Sequence, residues 1–139
     1  MLDMFLDLVA IVVDLRDSSP RKRRRDLRKA DAAGRPLVFD GAVRGETDYC
    51  HDGSGVLEVA GRELVWRDEV GDEESFSVPV ERLMAREVTT KRRRAHVTCT
   101  DGGQTVTLIC PQYAVGYLAR VVPGLAAVLG ASQADAGRV

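Results

Sequence analysis

The feature that most constrains this chain is the stretch from Gly55 to Leu129, where five or six short alternating segments precede one amphipathic segment. Apolar and polar residues that alternate with a period of two predict strands with one buried face. Tight polar turns separate these segments, which is typical of hairpins. The order predicts a fold that is mainly β with some α, in which a small curved sheet is capped by one C-terminal helix.

The hairpin that turns at Gly102-Gly103 has the best-defined register. A two-residue turn at these glycines places Val97 opposite Leu108. The apolar residues of both strands then share one face and the threonines share the other, so the pairing is consistent from both sides. Ile109 is the exception, because it falls on the polar face.

The helix that follows is predicted to open at Pro111, where a missing N–H costs nothing. Apolar residues recur at helical spacing after it, and Pro123-Gly124 is predicted to kink or end the main helix. We therefore expect three regions: a hydrophobic helix with a basic linker over residues 1–34, the sheet domain over 35–130, and a disordered tail over 131–139. The residues expected to lie on the sheet are Ala114, Tyr117, Leu118, Val121 and Leu125.

Residues 1–16, termed the leader, predict a helix that is apolar almost all round. Its three aspartates fall on one narrow stripe. The apolar run is too short to span about 30 Å of hydrocarbon at about 1.5 Å per residue. The leader therefore needs a cover, and the acidic stripe favours a protein over a bilayer, because interfacial helices usually carry Lys or Arg. The expected contact residues are Leu2, Phe5, Leu6, Leu8, Val9, Val12 and Val13.

The net charge of −1 conceals two basic clusters. Guanidinium groups bind phosphate oxygens bidentately, so both clusters are candidates for an anionic surface. The alternative for the second cluster is a solvated hairpin loop that keeps a sheet edge from aggregating. The candidate residues are Arg21, Lys22, Arg23, Arg24 and Arg25 in the first cluster, and Lys91, Arg92, Arg93 and Arg94 in the second.

A family resemblance rests on four segments, 55–59, 63–66, 77–83 and 97–102, which resemble GRAM and bacterial pleckstrin-homology-like (PH-like) domains. The resemblance covers about residues 36–130. It implies a seven-stranded, bent sheet or partly open barrel with one helix at an end. Members that bind phosphoinositides share a basic motif across the first strand-loop-strand, and here that region offers only Arg44.

Chemical sites are sparse in the sequence. Three cysteines at unrelated spacings predict no disulfide framework and favour a reducing cytoplasm. Cys50-His51 could bind a metal or act as a thiol pair, whereas Cys99 and Cys110 are expected to be small buried side chains. No cofactor, metal or catalytic constellation is predicted. Aromatic residues make up 5% of the chain, which disfavours stacking on nucleic-acid bases.

Together these patterns predict a non-catalytic binding or adaptor module in a prokaryotic cytoplasm. The leader would self-associate or dock to a protein partner, near an anionic membrane surface. The alternative is a peripheral membrane protein on the inner face of the cell membrane, anchored by residues 1–16 and the basic cluster 21–25. An enzyme or metal protein that uses Cys50 and His51, and a nucleic-acid binder, are less favoured.

Overall fold

A computed structural model describes residues 19–50, 55–68 and 75–136. They form a seven-stranded antiparallel open sheet with the order β4-β3-β2-β1-β7-β6-β5. The predicted mainly β fold with a C-terminal helix is confirmed. The strands are β1 Leu37–Gly45, β2 Gly55–Ala60, β3 Glu63–Asp68, β4 Ser75–Val78, β5 Met84–Lys91, β6 Arg94–Asp101 and β7 Gln104–Pro111.

Along the described chain, one α-helix precedes the strands and two follow them. Helix α1, Pro20–Ala32, comes before β1, and the other two come after β7. The predicted C-terminal helix is divided into a 3-10 turn (Gln112–Ala114), α2 (Val115–Leu118) and α3 (Leu125–Ala136). Helix α2 ends at Leu118, a turn follows, and Gly124 with a φ of +82° directly precedes α3. Helix α3 reaches into the segment predicted as a disordered tail, because residues 131–136 have no proline and include several alanines.

Residues of the C-terminal helical segment that were predicted to face the sheet are buried. The backbone N–H of Ala85 in β5 donates to the carbonyl of Pro123 at 2.9 Å, so the segment is held against an edge strand. Tyr117 is half-buried. The fully or almost fully buried members of the predicted set are Ala114, Leu118, Val121 and Leu125.

Strand β1 joins the two halves of the sheet. Its residues up to Gly41 pair with β2, and its residues from Ala42 pair with β7. Gly41 lies directly opposite Gly55, and the missing side chain of Gly55 leaves a notch that the Trp66 indole fills, whereas the Leu57 side chain occupies the space beside Gly41. The Trp66 N–H donates to the carbonyl of Gly41 at 3.2 Å, and the ring is fully buried. The glycines therefore allow close packing at the point where β1 changes its partner.

The β6–β7 hairpin has the predicted register, with Val97 opposite Leu108 and Thr100 opposite Thr105. Its apolar face belongs to the hydrophobic core. Ile109 faces away from that core, yet it is only 5% exposed. It lines a cleft beside α1, which explains an apolar residue on the otherwise polar face.

A buried carboxylate, Asp101, makes contacts with other elements at the C-terminal end of β6. Asp101 is 7% exposed and accepts a hydrogen bond from the Tyr49 hydroxyl at 2.5 Å. The Arg82 guanidinium lies 3.2 Å from the same carboxylate. Burial, with the Asp101 contact, raises the pKa of Tyr49 to about 12, so its hydroxyl stays protonated at neutral pH. Tyr49 therefore ties the loop after β1, predicted to be polar, to the end of β6.

The leader, with its seven candidate contact residues, lies outside the described residues. Ser19 is the N-cap of α1, and its hydroxyl accepts from the Lys22 N–H at 3.3 Å. Within the described part of the chain, every helix is too short or too polar to cross a membrane.

Candidate functional site

Helix α1 concentrates positive charge in a way that does not favour its own stability. Its first turn has no acidic residue, although the positive end of the helix dipole favours negative charge there. Three pairs of like charge are spaced four residues apart: Arg21 with Arg25, Arg24 with Arg28, and Arg25 with Lys29. Each such pair costs roughly 0.2–0.5 kcal/mol. A bound anion would relieve this repulsion.

Tertiary contacts, and not its polar surface, hold α1 in place. Leu27 is its one buried residue in the hydrophobic core. Near its C-terminus, Asp31 accepts two hydrogen bonds from Arg120, at 2.6 and 2.8 Å. The Arg120 guanidinium lowers the pKa of the Asp31 carboxyl, so the ion pair persists at neutral pH. The basic residues of α1 other than Arg23 are thereby left exposed on a fixed helix.

The turn between β5 and β6 is formed by two arginines in a left-handed conformation. Arg92 has a φ of 53° and Arg93 a φ of 65°, and they connect the paired residues Lys91 and Arg94. Hairpin turns with positive φ at both central residues strongly favour Asn-Gly. A residue with a long side chain there costs roughly 1–2 kcal/mol. Gln112 holds the turn by donating its backbone N–H to the Arg93 carbonyl at 3.0 Å.

The unfavourable turn leads to a stability prediction. We expect the double variant Arg92→Asn with Arg93→Gly to raise the free energy of unfolding by about 1–2 kcal/mol, because both new residues suit positive φ. Urea unfolding followed by Trp66 fluorescence measures the change. Lys91→Asn is the control for lost charge, and it should stay within about 0.5 kcal/mol of the parent chain. An unchanged or less stable double variant would show that the arginine turn carries no strain.

The two basic clusters meet at one cleft of about 390 Å³. Arg23 and Arg24 reach it from α1, and Arg92, Arg93 and Arg94 reach it from the β5–β6 turn. We term this the arginine cleft. It lies at the end of the sheet that carries the β5–β6 turn, whereas Asp101 lies at the far end of β6. The other lining residues are Pro20, Asp40, Gly41, Ile109, Cys110, Pro111, Gln112 and Tyr113.

The arginine cleft has a large excess of positive charge. Asp40 is the one acidic residue among its lining residues, against five arginines. The Asp40 carboxylate lies 3.8 Å from Nη1 of Arg23, whose side chain is 20% exposed. The other four arginines are exposed at the rim. A cleft lined by one sign of charge concentrates counter-ions, so this one attracts anions.

The structure separates the nine predicted basic residues into two groups. Five line the arginine cleft. Arg21, Lys22 and Arg25 are exposed elsewhere on α1, and Lys91 is exposed at the end of β5. Sequence reasoning missed Asp40, Gln112 and Tyr113. No local pattern signals the place of Tyr113 in the cleft, because its nearest arginines along the chain are Arg94 and Arg120.

The less favoured metal or thiol pair, Cys50-His51, is described only in part. The Cys50 sulfur lies 2.9 Å from the Thr47 hydroxyl, whereas His51 is outside the described residues. Across residues 19–50, 55–68 and 75–136, no three His, Cys, Asp or Glu residues are grouped so that they could hold a metal ion. Burial raises the pKa of Cys99 to about 11 and that of Cys110 to about 12. Both are therefore thiols at neutral pH, and neither supplies a thiolate nucleophile.

Comparison with known proteins leaves the chemistry of this cleft as the guide to function. No protein-family model matches the chain, and no curated protein matches it.

Proposed function

We propose that this protein is a non-catalytic, PH-like binding module that docks on an anionic membrane surface through the arginine cleft. The observation that carries the proposal is the meeting of two arginine clusters, from α1 and from the β5–β6 turn, around one cleft. Seven antiparallel strands followed by a C-terminal helical segment are what the PH-like resemblance implies. The surface would be the cytoplasmic face of the cell membrane.

The energy available from the cleft is sufficient for reversible docking. Each Lys or Arg near an anionic leaflet contributes about 1 kcal/mol. Five arginines at one cleft therefore supply about 5 kcal/mol, to which the further basic residues on α1 add, and this supports weak, reversible docking. The repulsion among the positive charges of α1 would be relieved when they meet phosphates.

The leader would reinforce docking because of where it joins the domain. Residue 18 precedes the Ser19 N-cap, and Pro20 at the first position of α1 lines the arginine cleft. The first turn of α1, which follows the leader in the chain, therefore lies beside the positive surface. An apolar anchor and a basic patch together give stable attachment where either alone is marginal.

Vesicle sedimentation of the full chain tests the proposal. We expect strong recovery with vesicles that contain phosphatidylserine and little recovery with neutral phosphatidylcholine. Recovery should fall as salt rises from 0.1 to 1 M, because the screening length shortens from about 10 to about 3 Å. Equal recovery with both vesicle types, independent of salt, would contradict docking by the arginine cleft.

A second candidate is a protein adaptor that self-associates or binds a partner through the leader. The three aspartates of the leader favour it, since they suit a protein cover better than an anionic bilayer. Deleting residues 1–16 separates the two candidates when native mass and vesicle recovery are measured together. Fewer subunits per native complex with unchanged vesicle recovery supports the adaptor. An unchanged number of subunits with reduced vesicle recovery supports membrane attachment. If neither changes, the leader has no role in either function.

A further inference from the structure

The arginine cleft carries two buried hydrogen-bond donors that lack a partner among the described residues. They are Nε of Arg23 and the hydroxyl of Tyr113, and the two side chains lie close enough for the Arg23 guanidinium to act on the Tyr113 hydroxyl. Both side chains line the cleft. Buried polar atoms in native proteins are almost always paired, so two unpaired ones at one site call for an explanation.

The chemistry of these two groups specifies what would satisfy them. Arginine offers only donors. Burial raises the pKa of Tyr113, and the nearby Arg23 guanidinium offsets this only in part, so the hydroxyl keeps its proton and can donate. Two donors beside each other need an acceptor with several lone pairs. An anionic oxygen meets that need, and a cation or an ammonium group does not.

The number of arginines then favours phosphate over a carboxylate. A carboxylate has two oxygens, and one guanidinium can occupy both in a bidentate pair. A terminal phosphate has three oxygens that can accept at once from several guanidinium groups. Here one face of the ligand would meet Arg23 and Tyr113, and the other would meet the arginines of the β5–β6 turn.

We propose that the arginine cleft is a site selective for a terminal phosphate monoester, with the Tyr113 hydroxyl and Nε of Arg23 donating to the innermost oxygen. The inference rests on the proposed function, and it adds a ligand class to a cleft that would otherwise attract any anionic surface. The phosphate could belong to a lipid headgroup, as in phosphatidic acid, or to a free phosphate ester.

Titration of the full chain with inorganic phosphate tests the site. The Nε–H resonance of Arg23, assigned with Arg23→Lys, should move with saturation in two-dimensional NMR spectra. Sodium chloride and acetate at matched ionic strength should move it far less. Tyr113→Phe should weaken phosphate binding about ten-fold or more, because a hydrogen bond to an anion is lost. Tyr117→Phe is the matched control. Its ring lies 5.0 Å from the Arg120 guanidinium carbon and does not line the cleft, so affinity should not change.

Two arms identify the source of the phosphate. Selective loss of recovery by Tyr113→Phe on phosphatidic acid vesicles, with phosphatidylserine recovery unchanged, assigns the site to a lipid headgroup. Competition by glycerol 3-phosphate, with no preference between the two lipids, assigns it to a free ester. Equal effects of the two tyrosine variants, or equal shifts by phosphate and chloride, would overturn the site. Salt-sensitive recovery on phosphatidylserine could still stand after that result, so the failure of the site and that of the proposed function are distinguishable.

Discussion

Replacing Gly55 with alanine is expected to lower the free energy of unfolding by about 3 kcal/mol, which is large for one added methyl group. A Cβ at this position would overlap the carbonyl oxygen of Arg67 in the paired strand, and it would lie 2.5 Å from Cε2 of Trp66. Neither neighbour can move easily. The carbonyl belongs to the β2–β3 ladder, and the indole is fully buried and donates to Gly41.

Chemical denaturation followed by far-ultraviolet circular dichroism measures the loss. Gly103→Ala is the matched control, because a Cβ there meets nothing within 4 Å. It should stay within about 0.5 kcal/mol of the parent chain. A Gly55→Ala variant as stable as Gly103→Ala would mean that the packing of Trp66 against Gly55 can accommodate a side chain.

Reversing two charges at the arginine cleft should weaken binding to anionic vesicles about 1000-fold at physiological salt. The variant is Arg24→Glu with Arg92→Glu, which takes one residue from each side of the cleft. Each lost positive charge removes about 1 kcal/mol of attraction, and each new negative charge adds a similar repulsion, so the total is about 4 kcal/mol. Both side chains are exposed, so the fold should persist.

The control variant, Arg44→Glu with Arg62→Glu, has the same net charge. Arg44 lies on β1 opposite Thr107, and Arg62 lies in the β2–β3 turn, and both are exposed and absent from the cleft lining. This variant should lose far less affinity. If both variants lose affinity equally, net charge alone governs binding and the cleft is not the docking site.

Local patterns were enough to predict the strands and one register of this fold. The Gly102-Gly103 turn and two alternating segments fixed the pairing of β6 with β7, because both strands agree on which face is apolar. The division of the C-terminal helix was also indicated by Pro123-Gly124. The role of β1 was not predictable. A change of partner at Gly41 depends on where Trp66 packs, and Trp66 is 25 residues away in sequence.

The sequence was enough to predict which residue types form the site, but not where in the fold they meet. The runs of arginine were visible, yet their meeting depends on the long-range pairing of β1 with β7 and on the docking of Leu27 into the core. No local pattern encodes either contact. Ile109 was the one local clue, because an apolar residue on a polar face implies a neighbour that covers it. The leader contacts and the PH-like resemblance stay predictions.

Both sides of the arginine cleft are braced by the same short segment of chain, residues 112–120. The Arg93 carbonyl accepts a hydrogen bond from the Gln112 N–H, and the Asp31 carboxylate of α1 accepts hydrogen bonds from Arg120. The distance between the arginines of α1 and those of the β5–β6 turn therefore depends on how firmly residues 112–120 stay folded. An anion that bound in the cleft would therefore be linked thermodynamically to the order of residues 112–120: each would favour the other by the same free energy, even though no described residue beyond Tyr113 lines the cleft.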